Sequence, residues 1–541
     1  MLYLTDSSAF AETLELGLGI GTVPPTVIKP TIEDGTVLDL EAVMPLRVGR
    51  DELLMAPHTA SWAILDDFES VLARRLHGLS LSELRAMCPH IEGDRLLDFL
   101  TQLYQRGLLR LDGKAGLNPH FLHDGAVFRE GNLVEILITQ KCNLACLYCL
   151  AEAGPDMPHM HPEVAFQAVD EAFKLRDDIP LAIQLSGGEP FVNFKLFQTL
   201  VAYIEAKQES TGRKILLATQ SNGTLITDTI ADFINEHNIS IGISMDGPSH
   251  LDNHSRPMLG GGPSHARMMR GVRTLQRHGV KFGTILVLNR GNVAHPEEIV
   301  DFFVENGIRS VKINPISMIG DAQSTWDRIA ITTDEYFEFL DGFVRYVVTN
   351  RMPLRESNLG EYLKYLFRRM HNYRCMRSNC GAGRSFFLID AKGDVYPCAH
   401  SAGIADWRIG TVGEAGGDLV KLGERNAVVA QFHGRLVDKI AKTGKCPWRH
   451  LCEGGCAVNA YQKFGTVLAP DTLCAFYERF YPRLLELLAT APNEFQTLLD
   501  VTLGEGQAFV ASFSLSGHEK PHHSTRRFEP QTREVMPSRY H

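Results

Sequence analysis

Between residues 133 and 316 the chain alternates short apolar, β-branched runs with longer segments of helical period. The runs are LVEILITQ, LAIQLS, KILLATQ, ISIGISMDG, KFGTILVLN and SVKINPI, and helical patterns separate them near 163–176, 193–208, 227–237, 264–278 and 296–307. This alternation predicts βα units around a parallel sheet or barrel, and six strands predict a partial barrel. Upstream, a short extended piece (43–57) precedes three amphipathic patterns near 60–76, 80–88 and 92–107. Residues 1–40 carry Gly and Pro with weak periodicity and predict an irregular arm. A helical bridge is expected at 333–371. The segment 375–474, rich in Gly and Cys and poor in long periodic runs, predicts a separate domain stapled by bound cofactors. The stretch from about 515 is polar and Pro-bearing and predicts a disordered tail. The expected division is an arm (1–40), a helical unit (41–118), a barrel (125–365), a cysteine-rich domain (370–482) and a C-terminal helix with its tail (483–541).

Composition narrows the function. The 541 residues are 44% hydrophobic and 22% charged, enough to bury large cores. A net charge of -10 would repel a phosphate backbone, so nucleic acid is not expected as a partner. No apolar stretch is long enough to suggest a membrane span and the start lacks a basic region, so a cytoplasmic protein without membrane contact is expected. Eleven cysteines are too sparse for a disulfide scaffold and odd in number, so their spacing must be read instead.

The first putting-together of chemistry occurs after LVEILITQ, where Cys142, Cys146 and Cys149 follow in a C-x3-C-x2-C spacing. Three thiolates on one loop can hold three irons of a 4Fe-4S cube and leave the fourth open. Spacing alone equally admits a zinc site or buried structural cysteines. The second strand ends in Ser186-Gly187-Gly188-Glu189-Pro190, which would expose backbone amides at the mouth of a barrel. With Tyr148 as the aromatic, the cluster resembles the C-x3-C-x-aromatic-C signature of the radical S-adenosylmethionine (SAM) superfamily. The likeness continues through Gln220-Ser221-Asn222-Gly223 and Ser244-Met245-Asp246-Gly247-Pro248, with Asp252 and Arg256 after it. The resemblance implies a partial (β/α)6 barrel and a 4Fe-4S cluster on the three cysteines. It also implies reductive cleavage of SAM to a 5'-deoxyadenosyl radical that abstracts hydrogen. By position it places Gly187, Gly188 and Glu189 on the methionyl amino group, with Pro190 completing the loop. Ser221 and Arg256 would lie near the ribose or carboxylate and the backbone at Tyr148 near adenine, with Asn222 and Ser244 also among the cofactor-binding residues. A planar guanidinium suits a carboxylate.

Seven further cysteines, Cys375, Cys380, Cys398, Cys446, Cys452, Cys456 and Cys474, resemble in order the SPASM extension of radical SAM maturases. Zinc ribbons would need paired C-x2-C knuckles, which are absent from this segment. The resemblance implies one or two auxiliary clusters: Cys375, Cys380, Cys398 and Cys456 for the first, and Cys446, Cys452 and Cys474 for the second. Thr443 stands where the second would take its fourth cysteine, so that ligand is unknown: another residue completes the cluster (Asp438 and Asp471 are nearby in sequence), or it keeps an open iron, or it is a different or absent cluster. Cys88, on a helical pattern, is expected to be a buried thiol. Anaerobic sulfatase maturases carry an acidic base directly after the cysteine matching Cys398. Here Ala399 and His400 follow, which disfavours sulfatase maturation and leaves His400 as a candidate base. His159, His161, His518, His522 and His523 read as solvated, and LGGGPSH (259–265) as a flexible connector.

The unit at 41–118 resembles a small winged helix, but its acidic residues outnumber its basic ones, which favours a peptide over DNA. Winged-helix unit, barrel and SPASM extension in this order resemble enzymes that modify ribosomally made peptides. Their N-terminal unit, similar to the small protein of pyrroloquinoline quinone biosynthesis (PqqD-like), binds a leader by adding it as a strand. The resemblance thus implies a precursor peptide as partner, a flavodoxin or ferredoxin-type electron donor, and a crosslinked (thioether, carbon-carbon or similar) or oxidised product. Maturation of a folded protein is the alternative among enzymes, and an iron-sulfur electron-transfer scaffold the alternative outside them.

Overall fold

The computed structural model describes residues 30–58, 60–116, 131–368, 375, 380–440 and 446–504. Among the described residues, seventeen strands fall into three sheets. The largest holds the six expected strands: β8 (Asn132–Thr139), β9 (Leu181–Gly187), β10 (Ile215–Ser221), β11 (Ser240–Ser244), β12 (Phe282–Leu288) and β13 (Ser310–Pro315). They pair side by side in chain order and all in parallel. Helices 162–173, 194–211, 228–236, 265–277 and 296–305 return the chain between them. On β8, Val134, Ile136 and Ile138 face these helices, whereas Leu133 and Leu137 face the inside. Both faces are covered, as a parallel sheet requires.

The sheet does not stop at six strands. β14 (Arg355–Glu356) joins β13 in parallel. At the other edge β15 (Phe386–Ile389) pairs in parallel with β8, and β16 (Asp394–Tyr396) and β17 (Gly410–Thr411) extend it antiparallel. The cysteine-rich segment is therefore not a detached domain. The apolar run FFLI, buried along its length, satisfies the open edge of β8.

The expected bridge at 333–371 is two helices, Thr333–Asn350 and Ser357–Arg368, flanking β14. The division placed at residue 482 falls inside one continuous helix, Cys474–Thr490, which packs with Pro492–Leu503 onto the bridge. Residues 515–541 lie outside the described residues, as do 1–29 of the arm.

Two differences mark the N-terminal unit. The span expected to be irregular contains β1 (Val37–Leu40), which pairs with β5 (Leu79–Ser80) and β6 (Leu109–Leu111), with β7 (Lys114–Ala115) alongside. The helix expected from residue 60 begins only at Asp67, capped by Asp66, because Ser61–Leu65 form β4 instead. β4 completes a three-stranded sheet with β2 (Met44–Val48) and β3 (Asp51–Ala56). Every residue of SWAIL is buried, since the two faces of this sheet serve two cores. Leu54, Ala63 and Leu65 pack on helices 67–74, 81–87 and 93–105, while Leu53, Met55, Trp62 and Ile64 join the barrel's core. The Trp62 indole donates to the Leu366 carbonyl at 2.9 Å. Cys88 is buried in the helical core, as expected.

Candidate functional site

One cavity of about 270 Å³ opens at the carboxyl ends of the parallel strands. Its wall includes Cys142, Cys146 and Cys149, and also Cys375 and Cys456 from the second set.

The loop bearing the first three cysteines is clamped on both sides. Ala145 N donates to Pro257 O, Leu147 N to Ser255 O and Leu259 N to Asn143 O, each 2.9–3.0 Å. On the other flank Asp321 N donates to the Cys149 carbonyl at 3.0 Å and the Thr325 hydroxyl to the Leu147 carbonyl at 2.6 Å. Amides of Leu144 and Ala153 point at the Cys142 and Cys149 sulfurs at 3.4 Å, and such donors stabilise a thiolate that binds metal. Burial pushes the Cys142 thiol up to about 11 and raises Cys146 and Cys149 as well. Three half-buried thiols on one loop, with amides aimed at sulfur, fit a cationic cluster that would take them as thiolates.

Gly187 and Gly188 line the cavity where the β9 loop presses on this cysteine loop. A Cβ on Gly187 would lie 2.2 Å from Thr139 O, and one on Gly188 2.5 Å from Lys141 O. Only glycine permits that approach. Ser221, Asn222, Ser244 and Arg256 also line the cavity, and the Asn222 amide reaches Cys142 Sγ at 3.8 Å. Glu189 and Pro190 are among the buried residues off the wall. The Glu189 carboxylate, expected to face a bound amino group, turns inward to accept from Ser221 Oγ (3.0 Å), Asn222 N (2.7 Å) and Phe191 N (3.3 Å). Burial outweighs these donors and raises it to about 7. It ties the β9 loop to the end of β10.

The family resemblance implies only a backbone role for Tyr148 and no role for the Asp246 side chain. The Tyr148 hydroxyl donates to Asp246 Oδ2 at 2.5 Å, and Arg256 Nη1 lies 3.2 Å from the same hydroxyl. Asp246 further accepts from Ser255 Oγ (2.8 Å) and Val287 N (3.0 Å). Asp252 accepts from Asp246 N and pairs with Arg256 Nε at 3.7 Å. Burial pulls the guanidinium down, but Tyr148, Cys146, Asp246 and Asp252 more than offset this and keep Arg256 charged.

Glu135 was also missed. It stands on β8 beside Gln184 of β9, fully buried, on the cavity wall. No well-formed hydrogen bond reaches either carboxylate oxygen, although Ser186 of β9 lies near enough to favour the charged form; Gln184 Nε2 of β9 and Gln220 Oε1 of β10 are likewise left without a well-formed bond. Burial lifts its pKa to about 8. A lone acid within an otherwise apolar, fully buried strand was the available signal.

The second cysteine set divides in space. Cys375 and Cys456 line the main cavity; Cys380, Cys398 and Cys456 pack against one small hydrophobic core with Ala382 and Trp407, and Cys375 and Cys380 sit close enough to raise the Cys398 thiol, after burial. Cys446, Cys452 and Cys474 line a separate small cavity with Asp471. Asp438 is a surface residue paired with Arg449, and Thr443 lies outside the described residues. His400 is buried on the main cavity wall, 3.7 Å from Cys456 Sγ, and burial lowers it to about 3, leaving a neutral imidazole. His159 and His161 lie away from this wall. Among the described residues no helix is long and apolar enough to cross a membrane.

Comparison with known proteins places this geometry. The radical SAM superfamily model matches residues 136–303. A cysteine-type anaerobic sulfatase-maturating enzyme of Clostridium perfringens is 24% identical over 64% of this chain and 95% of its own length. An AdoMet-dependent heme synthase of Oleidesulfovibrio alaskensis is 27% identical over 67% and 92%. In fold, the chain is similar to native anSMEcpe with bound AdoMet and Cp18Cys peptide (TM-score 0.58, 22% identity, 67% of this chain and 99% of that one). It is also similar to Streptococcus suis SuiB bound to the precursor peptide SuiA (TM-score 0.50, 17% identity, 82% and 99%). The mostly parallel sheet, the clamped three-cysteine loop and the matched family model agree: residues 136–303 form a radical SAM domain, and the chain is an enzyme whose cofactors are S-adenosylmethionine and a 4Fe-4S cluster.

Proposed function

We propose that this enzyme modifies a ribosomally made peptide, forming a thioether, carbon-carbon or similar crosslink, or an oxidised residue. The observation that carries the reading is the shared cavity, lined by Cys142, Cys146 and Cys149 of the first set together with Cys375 and Cys456 of the second. When bound, the cluster and SAM supply a 5'-deoxyadenosyl radical. The chain's own residues position what enters. Cys142, Cys146 and Cys149 hold the cluster; Gly187 and Gly188 offer close backbone; Arg256 holds a carboxylate; Tyr148 and Asp246 orient Arg256. On this reading Cys375, Cys380, Cys398 and Cys456, and separately Cys446, Cys452 and Cys474, hold auxiliary clusters that accept the electron left after coupling. A flavodoxin or ferredoxin-type protein delivers the first electron, and the N-terminal unit binds the leader. The edges of its small sheets support strand addition.

Formylglycine formation is disfavoured, because Ala399 presents a methyl on the cavity wall directly after Cys398. The test is anaerobic reconstitution with SAM and dithionite, followed by addition of short peptides encoded by neighbouring reading frames. Release of 5'-deoxyadenosine, abolished in C142A/C146A/C149A, with a peptide losing two hydrogens, supports the reading. Turnover only with a folded neighbouring protein would replace the peptide by a protein substrate.

A further inference from the structure

Cys446, Cys452 and Cys474 converge on one small cavity that Asp471, Glu478 and Arg449 also line. The set has the surroundings of a thiolate site. Backbone amides of Trp448 and Arg449 favour the Cys446 thiolate, and that of Gly454 favours Cys452, against the burial that raises both thiols. Amides aimed at sulfur are how proteins tune iron-sulfur ligands. Three cysteines leave one corner of a cube unfilled, so the neighbouring oxygen donors decide what fills it.

Three of the four carboxylates nearby are already committed. Asp471 Oδ2 accepts from Cys456 N at 2.8 Å, and Oδ1 from Asn459 Nδ2 (3.1 Å), Thr472 Oγ1 (3.0 Å) and Leu473 N (3.4 Å). Both its oxygens are thus occupied, Oδ2 by the amide of Cys456 from the other cysteine set. Asp438 is 72% exposed and paired with Arg449 at 3.3 Å, off the cavity wall. Glu453 is buried against His450 at 3.4 Å, also off the wall. Glu478 is the remaining one. It follows Cys474 by four residues on the helix Cys474–Thr490, so the two side chains share a helix face about one turn apart. Its charge is near enough to raise the Cys446 thiol.

We propose that Glu478 is the fourth protein ligand of a 4Fe-4S cluster held by Cys446, Cys452 and Cys474. This rests on the auxiliary-cluster reading above and sharpens it: the cluster is closed by an oxygen donor, so it carries electrons and offers no open iron to substrate. A carboxylate at one corner makes that iron chemically distinct from the three on thiolates.

The test uses the full-length chain reconstituted anaerobically in the C142A/C146A/C149A background, so that the radical SAM cluster contributes no signal. Iron and sulfide are counted and EPR spectra of the reduced protein are recorded with and without added 2-mercaptoethanol. The parent should give a spectrum indifferent to the thiol. Glu478→Ala, a substitution at an exposed position, should keep the iron but acquire a spectrum that changes on thiol addition and should convert more readily to a three-iron form under mild oxidation. Glu478→Cys should restore indifference with a shifted spectrum. If Glu478→Ala and the parent respond identically, the proposal is overturned while the cluster stands. If adding C446A/C452A/C474A removes no iron, the auxiliary-cluster reading itself fails at this site.

Discussion

The Tyr148 hydroxyl donates to Asp246 Oδ2 across 98 residues of sequence, joining the cysteine loop to the end of β11 at 2.5 Å. Because Arg256 touches the same hydroxyl, one phenol sets both the loop and the cation beside it. Tyr148→Phe leaves Asp246 Oδ2 with only the Ser255 hydroxyl. The expected cost is about 1–3 kcal/mol for a buried, charge-assisted hydrogen bond, read as a lower Tm. Weaker SAM binding by equilibrium dialysis should accompany it, since Arg256 loses a partner. Unchanged SAM affinity would separate this network from the cofactor.

Gly188→Ala tests the contact between the β9 loop and the cysteine loop. The added methyl would lie 2.5 Å from Lys141 O and 2.8 Å from the Ala153 Cβ, so one loop must move. Iron bound by the first cysteine set should fall after reconstitution, while the remaining iron stays. Full iron with normal 5'-deoxyadenosine release would show that the loops have slack.

Glu135 makes stability depend on pH. Its carboxyl keeps a proton up to about 8 in the fold, against 4.5 ordinarily, because burial disfavours the charge. Above pH 4.5 the unfolded chain releases a proton that the native chain retains, so stability from the neutral acid is full below that pH and lost as pH rises to about 8. Glu135→Gln removes the effect. The variant should gain on the parent progressively between pH 5 and 8, by up to several kcal/mol at about 1.4 kcal/mol per pH unit. Denaturant midpoints across that range are the measurement, and parallel curves would refute it.

Truncation tests the small N-terminal sheet. Removing residues 1–116 strips Leu53, Met55, Trp62 and Ile64 from the barrel's core and should give insoluble protein. Trp62→Ala in the full chain should cost about 3–5 kcal/mol, seen as a lower Tm. A soluble, well-folded truncation would restore the picture of a detachable module.

Much of this was legible beforehand. The six barrel strands and five intervening helices were readable because each is a local pattern: a continuous apolar run, or a 3.6-residue period. The cysteine loop and glycine loop were readable because their residue types sit next to one another in sequence. What stayed hidden depends on distant pairing. SWAIL reads as the start of a helix until two cores are seen to claim its alternate faces. FFLI lies in a segment that reads as a separate domain until it is seen to pair with the edge of β8. Glu189 has the right position for a ligand, yet its oxygens are taken by Ser221 and Asn222, contacts 32 and 33 residues away. Glu135 disappears into a hydrophobic string because burial is not a property of the letter.

The pairing of β15 with β8 fixes a length scale. On the reading proposed above, both thiol groups hold clusters between which an electron passes, and their separation governs that step. Here the strand that enters the first cysteine loop is hydrogen-bonded to the strand that leads, through β16, to Cys398. The gap between the two thiol groups is therefore built into a ladder of backbone bonds, and opening it would require breaking the sheet.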